Sequence, residues 1–336
     1  MRTHTTNAAN ELFIGIDGGA SKTAAVLMDG RGMPRATHYT RGSAIVGIPK
    51  PEACAVLIDT VKTLCRDAGC RPGAVRGFGI GLSGIDFADE IPDQEIAVAA
   101  ALGIPFAKLK LVNDGIVALW AATAAPRAVL LQHGSGLTSA YRRAHGGETL
   151  YDMLDVAKIS DVRQGLIALV ARMIDGRAAP TPLKQATLAH LQIADERMYA
   201  EAIYRNQVPH RLLATTPKLV FGAFERGDPA AEWLVQQGIA DYVLMIRAML
   251  ARLGPGTAEA IFGGGVIQQA GRTFWKRLAE RIRDDGLSAR VKPPELAPEW
   301  GAAIMAAFHA GHDPQALFTH ILQQIKRHKK GRRSDR

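Results

Sequence analysis

Twice in this chain, two apolar runs rich in branched residues are joined by a short polar turn that carries glycine. Residues 12–17 (LFIGID) and 24–29 (AAVLMD) flank Gly18 and Gly19, and residues 128–132 (AVLLQ) and 137–143 (LTSAYRR) flank His133-Gly134-Ser135-Gly136. Runs of this kind, bounded by glycine and polar residues, read as paired strands. Their recurrence in each half predicts two structurally related halves.

Between the hairpins the pattern alternates. A third strand is expected at 35–41, then an amphipathic helix from Pro51 to Gly69, in which Val56, Leu57, Val61 and Leu64 recur at helical spacing. A strand follows at 75–82, a helix at 92–103 opened by proline and stopped by glycine, a strand at 108–114 that ends in Asn113-Asp114, and a helix over GIVALWAATA. Residues 161–253 are mostly helical in pattern, AEAIF (258–262) is a strand that runs into Gly263-Gly264-Gly265, and helices follow at 266–285 and 299–310. Asp114 doubles as a candidate N-cap for the helix after it.

The bulk numbers exclude several classes. No apolar run reaches the length of a membrane helix, and the polar start MRTHTTNAANE lacks the apolar segment of a signal peptide, so a cytoplasmic protein is expected, with no membrane partner. Cys54, Cys65 and Cys70 fall in one helical stretch without zinc-ligand spacing. Of the net charge of +9, +6 sits in residues 326–336, KRHKKGRRSDR, which read as a solvated basic tail. No aromatics interleave with it to stack bases, so no nucleic-acid partner is expected.

Three glycine elements compete for a phosphate-binding role. Lys22-Thr23 suggests a P-loop, but Ser21 stands where that motif requires glycine, and a strand follows where it requires a helix. GIGLSG (79–84) matches G-x-G-x-x-G, yet neither opens a helix nor leads to an acidic residue about 20 positions on, so the match is one of chance. A hairpin turn of glycines remains: its uncovered backbone N–H groups can point at phosphate oxygens, while an aspartate at the strand end organises Mg²⁺.

With these motifs in order, the chain resembles the BadF/BadG/BcrA/BcrD ATPase family of the actin, sugar-kinase and Hsp70 superfamily, and within it the N-acetylglucosamine kinase-like branch. IGIDGGASKTAAVLMD resembles the first phosphate motif, LVNDGIVALWAA the sugar-side segment, VLLQHGSGLTSAYR the second phosphate motif and IFGGGV the adenosine motif. GLSGID resembles a glycine-rich loop by the sugar, and EWGAAIMAA the closing helix that returns to the first domain.

The resemblance implies an α/β protein of two ribonuclease-H-like (actin-like ATPase) domains facing across an interdomain cleft. The first domain covers 11–122 with a C-terminal helix at about 299–325 returning to it, the second covers 123–298 with a helical insertion, and the tail is 326–336. It implies Asp17 as the Mg²⁺-organising carboxylate, with Gly18, Gly19, Lys22, Thr23, Gly134, Ser135 and Gly136 around the phosphates of ATP and Gly264 and Gly265 against the adenosine. Asp114 falls at the general base, able to accept a sugar hydroxyl proton as the γ-phosphoryl group transfers. Ser43, Ser83, Gly84, Asn113, Asp114 and Asp155 fall on the sugar side. The implied activity is that of an ATP-dependent carbohydrate kinase on an amino sugar such as N-acetylglucosamine or glucosamine, in a homodimer.

The chain also departs from the family. His133 replaces the first glycine of a Gly-Thr-Gly-Ser turn, and Ser135 its threonine. LDVAKISDVRQGL stands where Gly-Asp-Glu-Gly-Ser is usual: Asp155 matches, whereas Val156, Ala157 and Lys158 do not. Gly-Pro-Ser-Asn is reduced to Gly42-Ser43-Ala44. Either the sugar differs or activity has been lost, which keeps a non-catalytic sugar or nucleotide sensor as the rival. An ATPase activator of a dehydratase would need cluster cysteines in the second half, and there are none. His133 can bond a phosphate or substrate oxygen, or merely end a strand; Lys158 and Arg163 can receive an anionic substrate, or form a solvated face.

Overall fold

The computed structural model describes residues 8–45, 51–134, 136–151 and 160–334. In chain order the elements are β1 (Leu12–Gly18), β2 (Lys22–Asp29), β3 (Pro34–Arg41), α1 (Pro51–Asp67), β4 (Val75–Leu82), α2 (Ile91–Leu102), β5 (Leu109–Asn113) and α3 (Asp114–Ala122). Next come β6 (Ala128–His133), β7 (Leu137–Arg142), β8 (Glu148–Leu150), α4 (Val162–Ile174), α5 (Pro182–His190), α6 (Tyr199–Tyr204), α7 (His210–Ala214), α8 (Pro217–Glu225) and α9 (Pro229–Leu253). The chain closes with β9 (Ala258–Gly263), α10 (Arg272–Asp284), β10 (Ala289–Lys292), α11 (Pro298–His309) and α12 (Pro314–Ser334).

Both hairpins form, and each founds a five-stranded sheet. The first has the order β3-β2-β1-β4-β5 and the second, read from its other edge, β8-β7-β6-β9-β10. The connectivity is the same in both, which is the internal repeat expressed as topology. The chain divides into two compact units, one of Met1–Leu130, Ser139–Tyr151 and Lys292–Arg336, the other of Leu131–Thr138 and Asp152–Val291.

In the first sheet β1 pairs antiparallel with β2 and parallel with β4, and β4 pairs parallel with β5. Both faces of β2 are covered, so Thr23–Asp29 are buried without interruption. Burial on both faces turns the alternating pattern of a one-sided strand into a continuous apolar run. Ile14, Ile16, Leu27, Phe78 and Ile80 meet Leu57, Val61 and Leu64 of α1 in the core. On the opposite face α11 lies directly on the strands. A side chain at Gly15 would overlap the Glu299 carbonyl, one at Gly79 the Ala302 carbonyl, and one at Gly301 the Val117 carbonyl of α3. Two glycines of GIGLSG are therefore explained by close packing: Gly79 admits α11 and Gly81 admits Val117.

Several details differ from expectation. Lys22 and Thr23 belong to β2, not to the turn. Asp114 is not the cap of α3: Asn113 is, its Oδ1 accepting from Gly115 N at 2.7 Å, and Asp114 is the first helical residue. The cap falls one residue earlier because Asn113 keeps extended backbone while its side chain reaches forward. The returning helix expected across 299–325 is two, α11 and α12, separated by a turn in which Gly311 has φ +97°. The basic segment does not leave the fold as a coil; it continues α12 to Ser334. Strand β10, short and without an apolar run, was not legible.

Candidate active site

The parallel strands of the first sheet end together, and most of the singled-out residues stand at those ends. Asp17 lies opposite Gly81, Gly18 opposite Leu82, and Leu82 opposite Asn113. The turn after β1 is closed by Gly19 N donating to Lys22 O at 2.9 Å. It is stitched to its neighbours by Ser83 N to Gly18 O at 2.9 Å and Ser43 N to Gly19 O at 3.1 Å, and Ile45 N donates to Ser83 O at 2.9 Å. Beneath it Thr23 Oγ1 donates to Ser43 Oγ at 2.8 Å, with both side chains buried. A side chain at Gly18 would overlap the Ser43 hydroxyl and Leu82. Gly18, Gly19, Lys22, Thr23, Ser43, Ser83 and Gly84 thus form one assembly, with Gly84 in the left-handed region at φ +89°.

Two further carboxylates act on Asp17 beside this assembly. Burial, then the charges of Asp114 and Glu299, push the Asp17 carboxyl up from an ordinary 3.8 to about 7, with Lys22 opposing. Asp114 opens α3, and Glu299 lies in the first turn of α11, where it accepts from Tyr39 Oη at 3.2 Å. Helix N-termini favour negative charge, which accounts for carboxylates on both helices. Together they leave Asp17 short of positive partners. Among the described residues no three His, Cys, Asp or Glu side chains are arranged to hold a metal by themselves. A cation here would therefore complete its shell with ligand oxygens and water, as Mg²⁺ does.

Two residues escaped the sequence reading. Asp86, inside the quoted GLSGID, accepts from Asn113 Nδ2 at 2.8 Å, so the Asn113 amide is tied at both ends. Burial pushes the Asp86 carboxyl up, with the Asn113 bond opposing. Glu299 lay in EWGAAIMAA, read only as a packing helix. Its signal was the one acid in a helix that is otherwise almost wholly apolar, standing in the first turn.

In the second unit the glycine turns also meet. Gly134 N donates to Gly136 O at 2.8 Å, and Val266 N donates to His133 O at 2.9 Å. A Cβ placed on Gly134 would lie 3.9 Å from Gly265 N. Gly264 has φ +90°, and any side chain there would collide with the His133 backbone, so only glycine fits. Gly134, Gly136, Gly264 and Gly265 are thereby brought together. Ser135, Asp155 and Lys158 lie outside the described residues.

His133 is neither a bare strand end nor free to reach a ligand. It is buried, its Nδ1 is 2.5 Å from the Tyr242 hydroxyl, and its Nε2 is 3.7 Å from Asp161. Asp161 caps α4 by accepting from Arg163 N at 2.8 Å and takes the Arg163 guanidinium as well, with Nη2 at 2.7 Å. Burial would raise the Asp161 carboxyl, but the nearby His133 ring and the hydrogen bonds from Arg163 outweigh it and hold it well below the usual range. The Arg163 charge is thus matched by Asp161 rather than held on a solvated face. From this pair a cavity of about 580 Å³ extends among α4, α6 and α7, lined mainly by apolar side chains such as Ile167, Ile203 and Leu213, with Tyr199 and Tyr204.

A family model, described as the BadF/BadG/BcrA/BcrD ATPase family, matches residues 14–306. The chain belongs to this family. The match spans both glycine hairpins, Asn113-Asp114 and Gly263–Gly265. A family relative, an N-acetyl-D-glucosamine kinase of Dictyostelium discoideum, is 24% identical over 318 residues, which is 89% of this chain and 98% of the relative. Among solved structures, a candidate N-acetylglucosamine kinase from Chromobacterium violaceum aligns with a TM-score of 0.65 at 22% identity, covering 89% of this chain and 99% of the other. A ROK family glucokinase from Streptomyces griseus, solved with glucose and AMPPNP, aligns with a TM-score of 0.54 at 18% identity, covering 88% and 98%. The fold is the two-domain α/β fold of the actin-like ATPases.

Proposed function

We propose that the chain is an ATP-dependent kinase that transfers the γ-phosphoryl group to a hydroxyl of an amino sugar such as N-acetylglucosamine or glucosamine. The observation that carries this reading is the placement of Asp114 on the first turn of α3, its neighbour Asn113 tied to Asp86, beside Asp17 and the Gly18-Gly19 turn. Full-length similarity to an N-acetyl-D-glucosamine kinase supports the choice of acceptor.

In this reading Asp114 accepts the proton of the attacking hydroxyl. Helix α3 fixes its backbone, and the doubly tied Asn113 fixes the start of α3. Ser43, Ser83, Gly84, Asn113 and Asp155 are assigned to the acceptor side. The backbone N–H groups around Gly18 and Gly19, with Lys22 and Thr23, receive phosphate oxygens, as do those around Gly134, Ser135 and Gly136. Gly264 and Gly265 lie against the adenosine, and the apolar cavity beside Asp161 takes the base. Asp17 would hold Mg²⁺, and the unbalanced negative charge around it fits a divalent cation. When bound, the ion neutralises charge on the transferring phosphoryl group. Positioning and charge stabilisation supply the remaining rate, because phosphoryl transfer asks little covalent chemistry of the protein. The enzyme is assigned to the cytoplasm and to a homodimer. The three cysteines are free and precede residue 71, which disfavours a cluster-bearing activator.

ADP release measured against a panel of hexoses, amino sugars and sugar acids tests the reading. Turnover is expected with an amino sugar, and Asp114→Asn is expected to lower kcat by roughly 10²- to 10⁴-fold, the range of a lost general base. Turnover that needs no sugar, or an Asn variant as active as wild type, overturns the kinase. ATP binding without turnover on any acceptor favours the sensor.

A further inference from the structure

We infer that His133, Tyr242 and Asp161 form a positioning unit that holds the second glycine turn for nucleotide binding. The inference rests on the kinase reading for the identity of the ligand and on the structure for the geometry. His133 joins four elements. It ends β6 immediately before Gly134; its carbonyl receives Val266 N from the segment after Gly263–Gly265; its ring meets Tyr242 of α9 and Asp161 at the start of α4.

The direction of each bond follows from the chemistry of the partners. Tyr242 is deeply buried beside the Asp161 carboxylate, so its phenol keeps its proton and donates it to His133 Nδ1. The ring proton then resides on Nε2 and faces Asp161, whose second partner is the Arg163 guanidinium. The ring is hydrogen-bonded at Nδ1 and faces the Asp161 carboxylate through Nε2 at 3.7 Å, which orients it and with it the backbone from which the turn departs. Gly264 cannot be exchanged for a larger residue, because its Cβ would occupy the His133 backbone. The turn at Gly134 and the turn at Gly264 are therefore registered against each other through one residue, and that residue is registered against α4 and α9. A glycine at 133 would keep the crossing but lose the side-chain anchor, leaving the buried Tyr242 phenol without its partner while Asp161 keeps Arg163.

The test compares wild type with Tyr242→Phe, His133→Gly and His133→Asn. Each is examined by calorimetric titration with ADP and with AMPPNP, and by separate KM measurements for ATP and for the sugar. Tyr242→Phe keeps the ring and removes one hydrogen bond, so the nucleotide dissociation constant and the KM for ATP should rise about 2- to 10-fold. The sugar KM should not change. His133→Gly, which removes both contacts, should weaken nucleotide binding more than Tyr242→Phe does. His133→Asn, whose Oδ1 can still accept from Tyr242, should recover part of the loss. If His133→Gly folds too poorly to titrate, the contrast between Tyr242→Phe and wild type decides alone. Equal nucleotide binding in wild type and Tyr242→Phe overturns the positioning role, as does a change confined to the sugar KM. Wild type that binds no nucleotide overturns the kinase reading together with this inference, and so is distinguishable from a failure of the inference alone.

Discussion

Replacing Asp17 by asparagine should stabilise the ligand-free protein at neutral pH. The Asp17 carboxyl is pushed up from 3.8 to about 7 by burial and by the charges of Asp114 and Glu299, against Lys22. A carboxyl whose pKa is raised by folding contributes stability that is present below its unfolded value, near pH 3.8, and lost as pH rises through about 7. One pKa unit corresponds to about 1.4 kcal/mol, so a rise of roughly three units costs the folded wild type on the order of 4 kcal/mol once Asp17 is fully ionised. At pH 4 the same linkage gives only about 0.5 kcal/mol. The asparagine side chain keeps the size of the aspartate and never ionises. Urea denaturation of both proteins in EDTA, from pH 4 to pH 8, measures the gap directly. The variant should gain on wild type steadily between pH 4 and pH 7 and hold a constant lead above pH 8. Added Mg²⁺ and AMPPNP should stabilise wild type and leave the variant nearly unchanged. A gap that does not vary with pH, or a variant less stable than wild type at pH 8, would refute the account of Asp17 as a buried charge in search of a cation.

Two other sites give sharp expectations. Arg142 is fully buried, with Nη2 at 2.7 Å from Thr123 O, Nε at 3.1 Å from Ala125 O and the Trp120 ring centroid 5.4 Å away. Arg142→Met should cost about 3–5 kcal/mol in denaturant unfolding, because Glu148 and the carbonyls after α3 lose their cation. The same variant should raise the pKa of His145, which burial and then the Arg142 charge hold down to about 4; a titration by NMR that leaves His145 near 4 would assign its shift to burial alone. Gly15→Ala adds a methyl where the Glu299 carbonyl already lies, so α11 must shift at its first turn. Activity is expected to fall together with thermal stability, and a Gly15→Ala variant that melts and turns over like wild type would show that α11 yields without disturbing Glu299.

What the sequence disclosed and what it withheld divide along a physical line. The hairpins were legible because burial on both faces writes itself as continuous apolar runs, and the turns because glycine and aspartate punctuate them; Asp17 and Asp114 could be picked out for that reason. Gly79 and Gly81 of GIGLSG matched a phosphate-loop pattern only by chance, and their cause stayed hidden, since close approach of a phosphate and close approach of a helix both demand a missing side chain. The positions of α11 over Gly79 and of Val117 of α3 over Gly81 decide for the helix. Contacts between distant segments left no local trace. Asp86 is bonded to Asn113, 27 residues away, and His133 to Tyr242, 109 residues away. The departure at position 133 therefore looked like erosion of a phosphate motif when viewed in its own turn. Beside Tyr242 and Asp161 it becomes a residue with its own partners, one that ties the start of its turn to α9 and α4. That difference matters for weighing the chain as a diverged, inactive relative. The residue that begins the turn is held by the buried Tyr242 hydroxyl on one side of its ring and stands 3.7 Å from the Asp161 carboxylate on the other, so the turn starts from an anchored position.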